Sequence, residues 1–329
     1  MSRNFLRFIF SNFIRMLLLL FGVSVLTFIL VISSPIDPVE SYVGAESTVS
    51  QEQRENIAEY WGLNKSPVER YTIWITNILH GDMGESLTYR QPVTKIIGER
   101  FKTSLALMAS AWVLSGILGF FLGVMSGTNK GGILDKIIKN FCLLMSSTPT
   151  FWFGLLMLII FSVKLKWFPL GLAAPLGKLE EEVTFMDRIR HLILPSLTLS
   201  ITGVANIALH TRQKLIDVLN SDYMLFAIAR GESKWTAVRR HGIRNIAIPA
   251  VTLQFASFSE LFGGSVLAEQ VFSYPGLGNA ATTAGLKGDV PLLLGIALFS
   301  AVFVFVGNLM ANIFYGILNP EIRVGESLE

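Results

Sequence analysis

The sequence predicts an all-α polytopic membrane protein with six transmembrane helices and both termini on the cytoplasmic side. Three observations lead there. Hydrophobic residues make up 51% of the 329 residues and charged residues only 16%, where a soluble domain carries roughly 25% charged residues. Six long blocks are almost free of charge. Basic residues gather in the short loops of one side. A mean hydropathy of +0.53 excludes disorder, a collagen-like repeat and an ordinary water-soluble enzyme. The net charge of +3 calls for no polyanion, so no nucleic-acid partner is expected.

A bilayer core about 30 Å thick takes about 20 apolar helical residues at roughly 1.5 Å each. The first block, residues 16–32, has no charge, and Arg15 at its edge can snorkel. The block is too long for a typical signal-peptide core. No small-x-small cleavage site follows before Pro35-Ile36-Asp37-Pro38, so it reads as a retained anchor. Residues 1–33 then form an N-terminal segment with the first span, and residues 34–102 an external loop. Within that loop residues 50–61 read as a short amphipathic helix, opened by a capping box of Ser50 and Gln53. A soluble loop of this length either receives a docking partner or packs on the rest of the chain.

Residues 103–129, 140–163 and 192–209 are the uncharged second, third and fourth spans. They run apolar throughout rather than alternating, which argues for helices over barrel strands. Gly116, Gly119, Gly123 and Gly127 stand three or four apart and allow close helix packing in lipid. Pro195 and Pro249 are expected near span starts, where a missing amide proton costs least. The fifth block, 245–272, contains Glu260 and Glu269, and the sixth, 290–320, has no charge. The single cysteine, Cys142, reads as a small core residue, and no intrachain disulfide or thiolate cluster is possible.

Six spans place both termini on one side. The first external loop exceeds about 60 residues, and such loops translocate largely regardless of charge. In the remaining loops the basic residues favour the side of the N-terminus. Seven lie in residues 211–244: Arg212, Lys214, Arg230, Lys234, Arg239, Arg240 and Arg244. Glu180-Glu181-Glu182 lies on the other side. The N-terminus is therefore expected inside.

The inner loop between spans four and five, residues 215–245, is the most informative segment. Ser221 or Asp222 can cap a short helix. Gly231 can take the left-handed conformation that ends it. Ser233 can cap a second helix running to Gly242. Ala227, Ala229 and Gly231 are small enough for another protein to approach closely, and the basic residues supply a charged rim. Read from physics alone, the same loop could equally lie on anionic headgroups.

This segment resembles the EAA-type cytoplasmic loop of ABC importer permeases, in the form of the oligopeptide, dipeptide and nickel family. The residues that carry the resemblance are Asp222-Tyr223, Ala227-x-Ala229-x-Gly231, Arg240-His241 and Arg244-Asn245, followed by Pro249. Asp37-Pro38, Gly81-Asp82-x-Gly84-x-Ser86, Pro149-x-Phe151-Trp152, Leu194-Pro195, Glu269-x-Val271-Phe272-x-x-Pro275-Gly276-Leu277-Gly278 and Asn319-Pro320-x-Ile322-Arg323 extend it over nearly the whole chain. Leu209 and Glu260 depart from the family pattern, which has a second arginine and an uncharged residue there.

The resemblance implies the transmembrane domain of a type I ABC importer. Residues 103–320 would be its five-helix core and 321–329 a cytoplasmic tail. It also implies a homologous sister permease, two ATPase subunits and an extracytoplasmic solute-binding protein around this chain in the cell membrane. No cofactor is expected on this chain, because no G-x-x-x-x-G-K-[ST] occurs. ATP and Mg belong to the partner subunits, and the chain is not expected to be an enzyme. His80, His191, His210 and His241 are scattered, without metal-ligand spacing.

A carboxylate inside a span is by default a functional hypothesis, so Glu260, with the polar Gln254 and Asn206, is a candidate for the substrate pathway. The alternative is a structural hydrogen bond. Glu269 and the turn Pro275-Gly276-Leu277-Gly278 are candidates for an external gate. That turn combines a fixed φ with residues that tolerate positive φ. Short peptides are the expected cargo, with nickel or a metal–chelator complex as the alternative. A stand-alone secondary transporter or channel is the rival of another class. It should show inverted repeats and broken helices, and neither is visible in the sequence.

Overall fold

The apolar blocks are helical in a computed structural model that describes residues 3–33, 39, 50–60 and 62–318. In chain order the described helices are α1 (Arg3–Ile32), α2 (Gln51–Tyr60), α3 (Pro67–Leu79), α4 (Val93–Thr128), α5 (Ile133–Ser146), α6 (Thr150–Met157), α7 (Phe185–Leu219), α8 (Asp222–Ala229), α9 (Lys234–Ala237), α10 (Ile243–Ala256), α11 (Phe258–Val271), α12 (Leu277–Leu286) and α13 (Val290–Leu318). Stretches of α1, α4, α7 and α13 are each long and apolar enough to cross a bilayer alone.

The blocks read as the third and fifth spans are bent helix pairs, breaks that were not visible in the sequence. The third is α5 and α6, the latter continuing as a π-helix over Leu158–Lys164, with 110° between the halves. Pro149 stands at the N-cap of α6, where it has no N–H to give to the preceding turn. The fifth is a helical run Lys234–Ala256 followed by α11, bent by 60°. Pro195 and Pro249 do not mark span starts, because both lie inside helices. The start of α7 is set outside the apolar block, by a capping box of Thr184 and Asp187. A proline inside a membrane helix is tolerated when neighbours re-satisfy the freed backbone groups.

The chain forms two compact units. The first holds α1, α2, α3, the beginning of α4, α12 and the first part of α13. The expected box opens α2: Gln53 N–H donates to Ser50 Oγ, and Ser50 N–H to Gln53 Oε1, each at 3.3 Å. After α3, Gly81 and Gly84 take positive φ (86° and 80°) and Asp82 Oδ1 accepts from Gly84 N–H at 2.8 Å. Ser86 then donates to the buried Asp289 carboxylate at 2.5 Å, and Thr88 N–H reaches the same oxygen at 2.9 Å. The other oxygen of Asp289 accepts from Leu292 N–H at the start of α13. The motif Gly81-Asp82-x-Gly84-x-Ser86 therefore fastens the loop to the cap of a membrane helix.

The second unit is built on α4 and α7, which run parallel in contact. A Cβ added at Gly119 would stand 2.8 Å from Ile207 Cβ and 3.0 Å from Val204 O. At Gly123 it would meet Thr211 Cβ at 2.6 Å and Ala208 O at 2.7 Å, and at Gly127 Leu215 Cδ2 at 3.0 Å. The glycine spacing thus serves helix packing, as read from the sequence. Polar pins accompany it. Ser110 and Ser196 share a hydrogen bond of 2.6 Å. Beside that contact, Ile138, Cys142 and Met145 of α5 pack with Ala205 and Ala208 of α7, and Cys142 is fully buried among them.

Replacing Gly123 by Val is expected to destabilise the protein by about 1–3 kcal/mol, the cost of overpacking a tight contact. Replacing Gly263, where a Cβ meets nothing within 4 Å, by Ala should be near neutral. Unfolding midpoints of the two variants in one detergent check this. Equal midpoints would remove the contact from the account.

Candidate functional site

The segment joining α7 to α10 is a helix–turn–helix whose every bend has a local cause. Asn220 ends α7, its N–H on the carbonyls of Ile216 and Asp217. Ser221 takes the N-cap position of α8 in extended backbone, but its hydroxyl turns back to Val218 O at 2.5 Å rather than capping the helix. At the other end Gly231 has φ +94°. Its N–H bonds Ile228 O at 2.9 Å, and Glu232 N–H bonds Ala227 O at 3.2 Å. This is the paired closure that favours glycine after a helix. Ser233 then caps α9 by accepting from Thr236 N–H at 3.2 Å.

The second helix does not stop at Gly242. Gly242 is right-handed and buried (φ −81°), and α9 passes through a π-helix, Val238–Gly242, straight into α10. The second helix of the loop and the first half of the fifth span are therefore one helical run.

Two faces of α8 differ sharply. Met224 and Ala227 turn inward and join Leu215, Ala237, Val238 and Ile246 in one buried cluster. Ala227 is thus a packing residue and not a small residue left open to a partner. Outward lie Ala229, Gly231, Tyr223, Phe226 (64% exposed) and, from α9, Trp235 (53% exposed). Sequence reasoning missed Phe226 and Trp235. An eight-residue helix that is apolar all round can bury only one stripe, and that signal was available. Clustered apolar exposure of this kind marks an interaction surface.

Polar contacts lock the two helices. Asn245 Nδ2 donates to Tyr223 Oη at 2.7 Å and to His241 O at 3.1 Å. Arg240 faces Glu232 at an ion-pair separation of 3.6 Å, and the His241 ring lies 3.4 Å from the same carboxylate. Neither Glu232 nor Asn245 was among the predicted site residues. Asp222 and Arg244 are exposed.

One further ion pair holds the end of α7 that leads into this segment. Asp135, at 3% exposure, receives Arg212 in bidentate fashion, Nε to Oδ1 at 2.6 Å and a terminal nitrogen to Oδ2 at 2.8 Å. Ser126 Oγ and Gly131 N–H complete the carboxylate at 2.5 Å and 2.8 Å. Three segments, the end of α4, the turn into α5 and α7, are tied by one side chain.

The pathway candidates are not brought together. Gln254 is buried, and its Nε2 donates to Trp112 O at 2.6 Å and Ser115 Oγ at 3.2 Å, while Trp112 Nε1 donates to Gln254 O at 2.9 Å. Gln254 is thus a pin between α4 and α10. Glu260 is exposed in the first turn of α11, and Asn206 is exposed on α7.

Glu269 is fully buried and accepts from Ser104 Oγ at 2.6 Å. The turn after it is not made by the glycines. Gly276 is extended (φ −96°, ψ −174°) and serves as N-cap of α12, and Gly278 is buried inside that helix. The residue in the left-handed region is Ser273 (φ 47°). Its N–H bonds Gln270 O at 3.2 Å, and Tyr274 N–H bonds Glu269 O at 2.8 Å, so the closure seen at Gly231 recurs here without glycine. Burial, with the nearby Glu269 charge, pushes the Tyr274 phenol up to about 12.

Replacing Arg212 by Ala leaves the Asp135 carboxylate buried and without its cation. The expected loss is about 3–5 kcal/mol, read as a lowered unfolding midpoint. Replacing both Asp135 and Arg212 by Leu should recover most of it. A double variant as unstable as the single one would contradict this account.

Comparison with known proteins bears on the whole chain. The family described as binding-protein-dependent transport system inner membrane component matches residues 119–324, and the N-terminal family of the same membrane components matches residues 5–108. The chain is 34% identical over 306 residues to the oligopeptide transport system permease protein AppB of Bacillus subtilis (strain 168), covering 93% of this chain and 95% of that one. It is 33% identical over 323 residues to the di/tripeptide transport system permease protein DppB of Pseudomonas aeruginosa (strain UCBPP-PA14), covering 92% and 94%. It is also 33% identical over 319 residues to the glutathione transport system permease protein GsiC of Escherichia coli O6:H1, covering 97% and 99%.

Proposed function

The chain belongs to the family of binding-protein-dependent transport system inner membrane components, and on that premise we propose that it is the permease subunit of an ATP-driven importer carrying short peptides across the cell membrane. It is a multi-pass membrane protein and a permease rather than an enzyme by itself. Relatives named for oligopeptide, di/tripeptide and glutathione transport support a peptide cargo. In this reading a sister permease completes the pathway, two ATPase subunits bind ATP and Mg, and an external solute-binding protein delivers the cargo. The N-terminus and α8 face the cytoplasm, as the basic loop residues indicate.

The observation that carries the mechanism is the two-faced helix α8. Its inner stripe is packed into α7 and α10. Its outer side, with Tyr223, Phe226, Ala229 and the Gly231 turn, is the surface on which the ATPases dock. Closure of the ATPases carries α8 with them. Tyr223 is bonded to Asn245, and α9 runs unbroken into α10. Movement at α8 is therefore delivered to α7 and α10 together. That displacement biases two packings of the bundle, open to one side or the other. Glu260 and Asn206 face the pathway, and buried Glu269 with its turn steadies the outer gate. No covalent step takes place on this chain.

Replacing Gly231 by Val puts a β-branched residue at φ +94°, a conformation that costs about 1–2 kcal/mol or more. ATP-driven peptide uptake by the reconstituted importer is expected to fall about tenfold or more. The same change at Gly177, also at positive φ (84°) with open space around it, should leave uptake intact. Normal uptake by the Gly231 variant would sink the lever.

Replacing Glu260 by Gln tests the pathway. Uptake of peptides with a free terminal ammonium should weaken relative to N-acetylated peptides. An unchanged ratio would remove Glu260 from the pathway.

A further inference from the structure

Helix α3 follows the first span in sequence, yet it packs beside that span rather than beyond its end. Ser24 Oγ donates to Phe21 O at 2.8 Å, so in the 2.7 Å bond between Ser24 and Tyr71 the tyrosine hydroxyl is the donor. The Phe28 ring meets the Tyr71 and Trp74 rings at centroid distances of 5.2 and 6.0 Å. Ser24 lies two turns before the end of α1 at Ile32, about 12 Å along the helix at roughly 1.5 Å per residue. Tyr71 therefore meets the first span well back from its end.

The outer side of α3 agrees with that placement. Val68 and Leu79, on one face, are 73% and 81% exposed, and no residue of α3 is fully buried. Apolar side chains left open along a short helix suit the boundary between headgroups and acyl chains.

Beside α3 lies a cavity of about 760 Å³. Its lining includes Lys65, Arg70 and Arg90 against one carboxylate, Glu85, and its apolar walls include Phe28, Trp74 and Leu294. Arg90 holds a left-handed backbone (φ 51°), with its N–H on Ser86 O at 2.9 Å. A non-glycine residue held in that region is a reason to look for a ligand. A cation-lined, apolar-walled pocket at a membrane surface is suited to an anionic lipid headgroup.

We propose that this cavity binds the phosphate headgroup of an anionic phospholipid in the leaflet where α1 ends. Lys65, Arg70 and Arg90 take the phosphate, and Phe28, Trp74 and Leu294 take the glycerol and the first acyl carbons. The site anchors α3 in the membrane surface, so part of the loop after the first span is a membrane-bound element. In the orientation proposed above the leaflet is the outer one, but the site itself does not depend on that orientation or on the cargo.

The test uses the full chain within its purified importer, in detergent, with phosphatidylglycerol, phosphatidylcholine or inorganic phosphate added and bound lipid counted by native mass spectrometry. Phosphatidylglycerol should be retained about tenfold better than phosphatidylcholine. Lys65→Glu with Arg70→Glu should lose that preference, whereas Lys65→Arg with Arg70→Lys should keep it. Equal retention of the two lipids, or the same preference in the charge-reversed variant, overturns the proposal. Displacement of the lipid by millimolar phosphate also overturns it, in favour of a free-anion site. A second measurement does not rely on the charge-reversed variant folding. In phosphatidylglycerol vesicles brominated on the acyl chain, tryptophan quenching should include a component that Trp74→Phe removes. No such component would place α3 outside the membrane and end the proposal.

Discussion

The second unit depends on how closely α4 approaches α7. Lipid tails are as apolar as leucine, so burial of apolar surface does little to bring two membrane helices together, and close packing with polar contacts has to do it. Gly119, Gly123 and Gly127 remove the Cβ atoms that would strike Ile207, Thr211 and Leu215. Contact along successive turns fixes both the axial register and the rotation of each helix. That register then places Ser110 on Ser196 and Arg212 on Asp135. A slide by one turn would break both at once.

Buried polar side chains show where the chain is fastened. Asp135, Glu269 and Asp289 are each shut away from solvent, a placement that is costly unless the group is bonded. Asp135 has a guanidinium, a hydroxyl and a backbone N–H. Asp289 has a hydroxyl and two backbone N–H groups. In both cases the carboxylate joins segments far apart in sequence and sits at the start of a helix, where negative charge is favoured. Glu269, bonded by Ser104, lies in the last turn of α11, before a left-handed serine. These three carboxylates therefore hold segments near helix ends in place, while Ser110 with Ser196 and Gln254 with Trp112 and Ser115 pin the spans along their length.

Between α7 and α10 the chain depends on packing in the same way. Helix α8 is too short to be stable alone, so its form depends on Met224 and Ala227 being packed against its neighbours. What remains outside is apolar and close to a glycine turn, a surface suited to a protein partner. Because α9 enters α10 without a break, a partner that moves α8 acts on a membrane helix directly. For a family of permeases, this supplies a physical route from a soluble surface to the inside of the bundle.

Much was legible in the sequence. The number and places of the apolar blocks followed from the absence of charge over spanning lengths. The capping box at Ser50 and the left-handed turn at Gly231 followed from residue chemistry. The helix–turn–helix itself could be read because caps and a glycine closure are local. Other features could not be read, since they are settled by contacts remote in sequence. Pro195 and Pro249 look like boundaries in a single chain, yet both lie within helices whose ends are set elsewhere. Gln254 looked like a pathway residue until Trp112 and Ser115 were found bonded to it. Gly276 and Gly278 looked like the turn, but Ser273 makes it. Composition and local pattern alone determined that this chain is a bundle of membrane helices with a capped helix–turn–helix between two of them, because hydropathy and capping act over a few residues. Only the tertiary structure decided which polar groups fasten the bundle, where the spans bend and which face of the helix–turn–helix is exposed, because those depend on the neighbour each side chain meets.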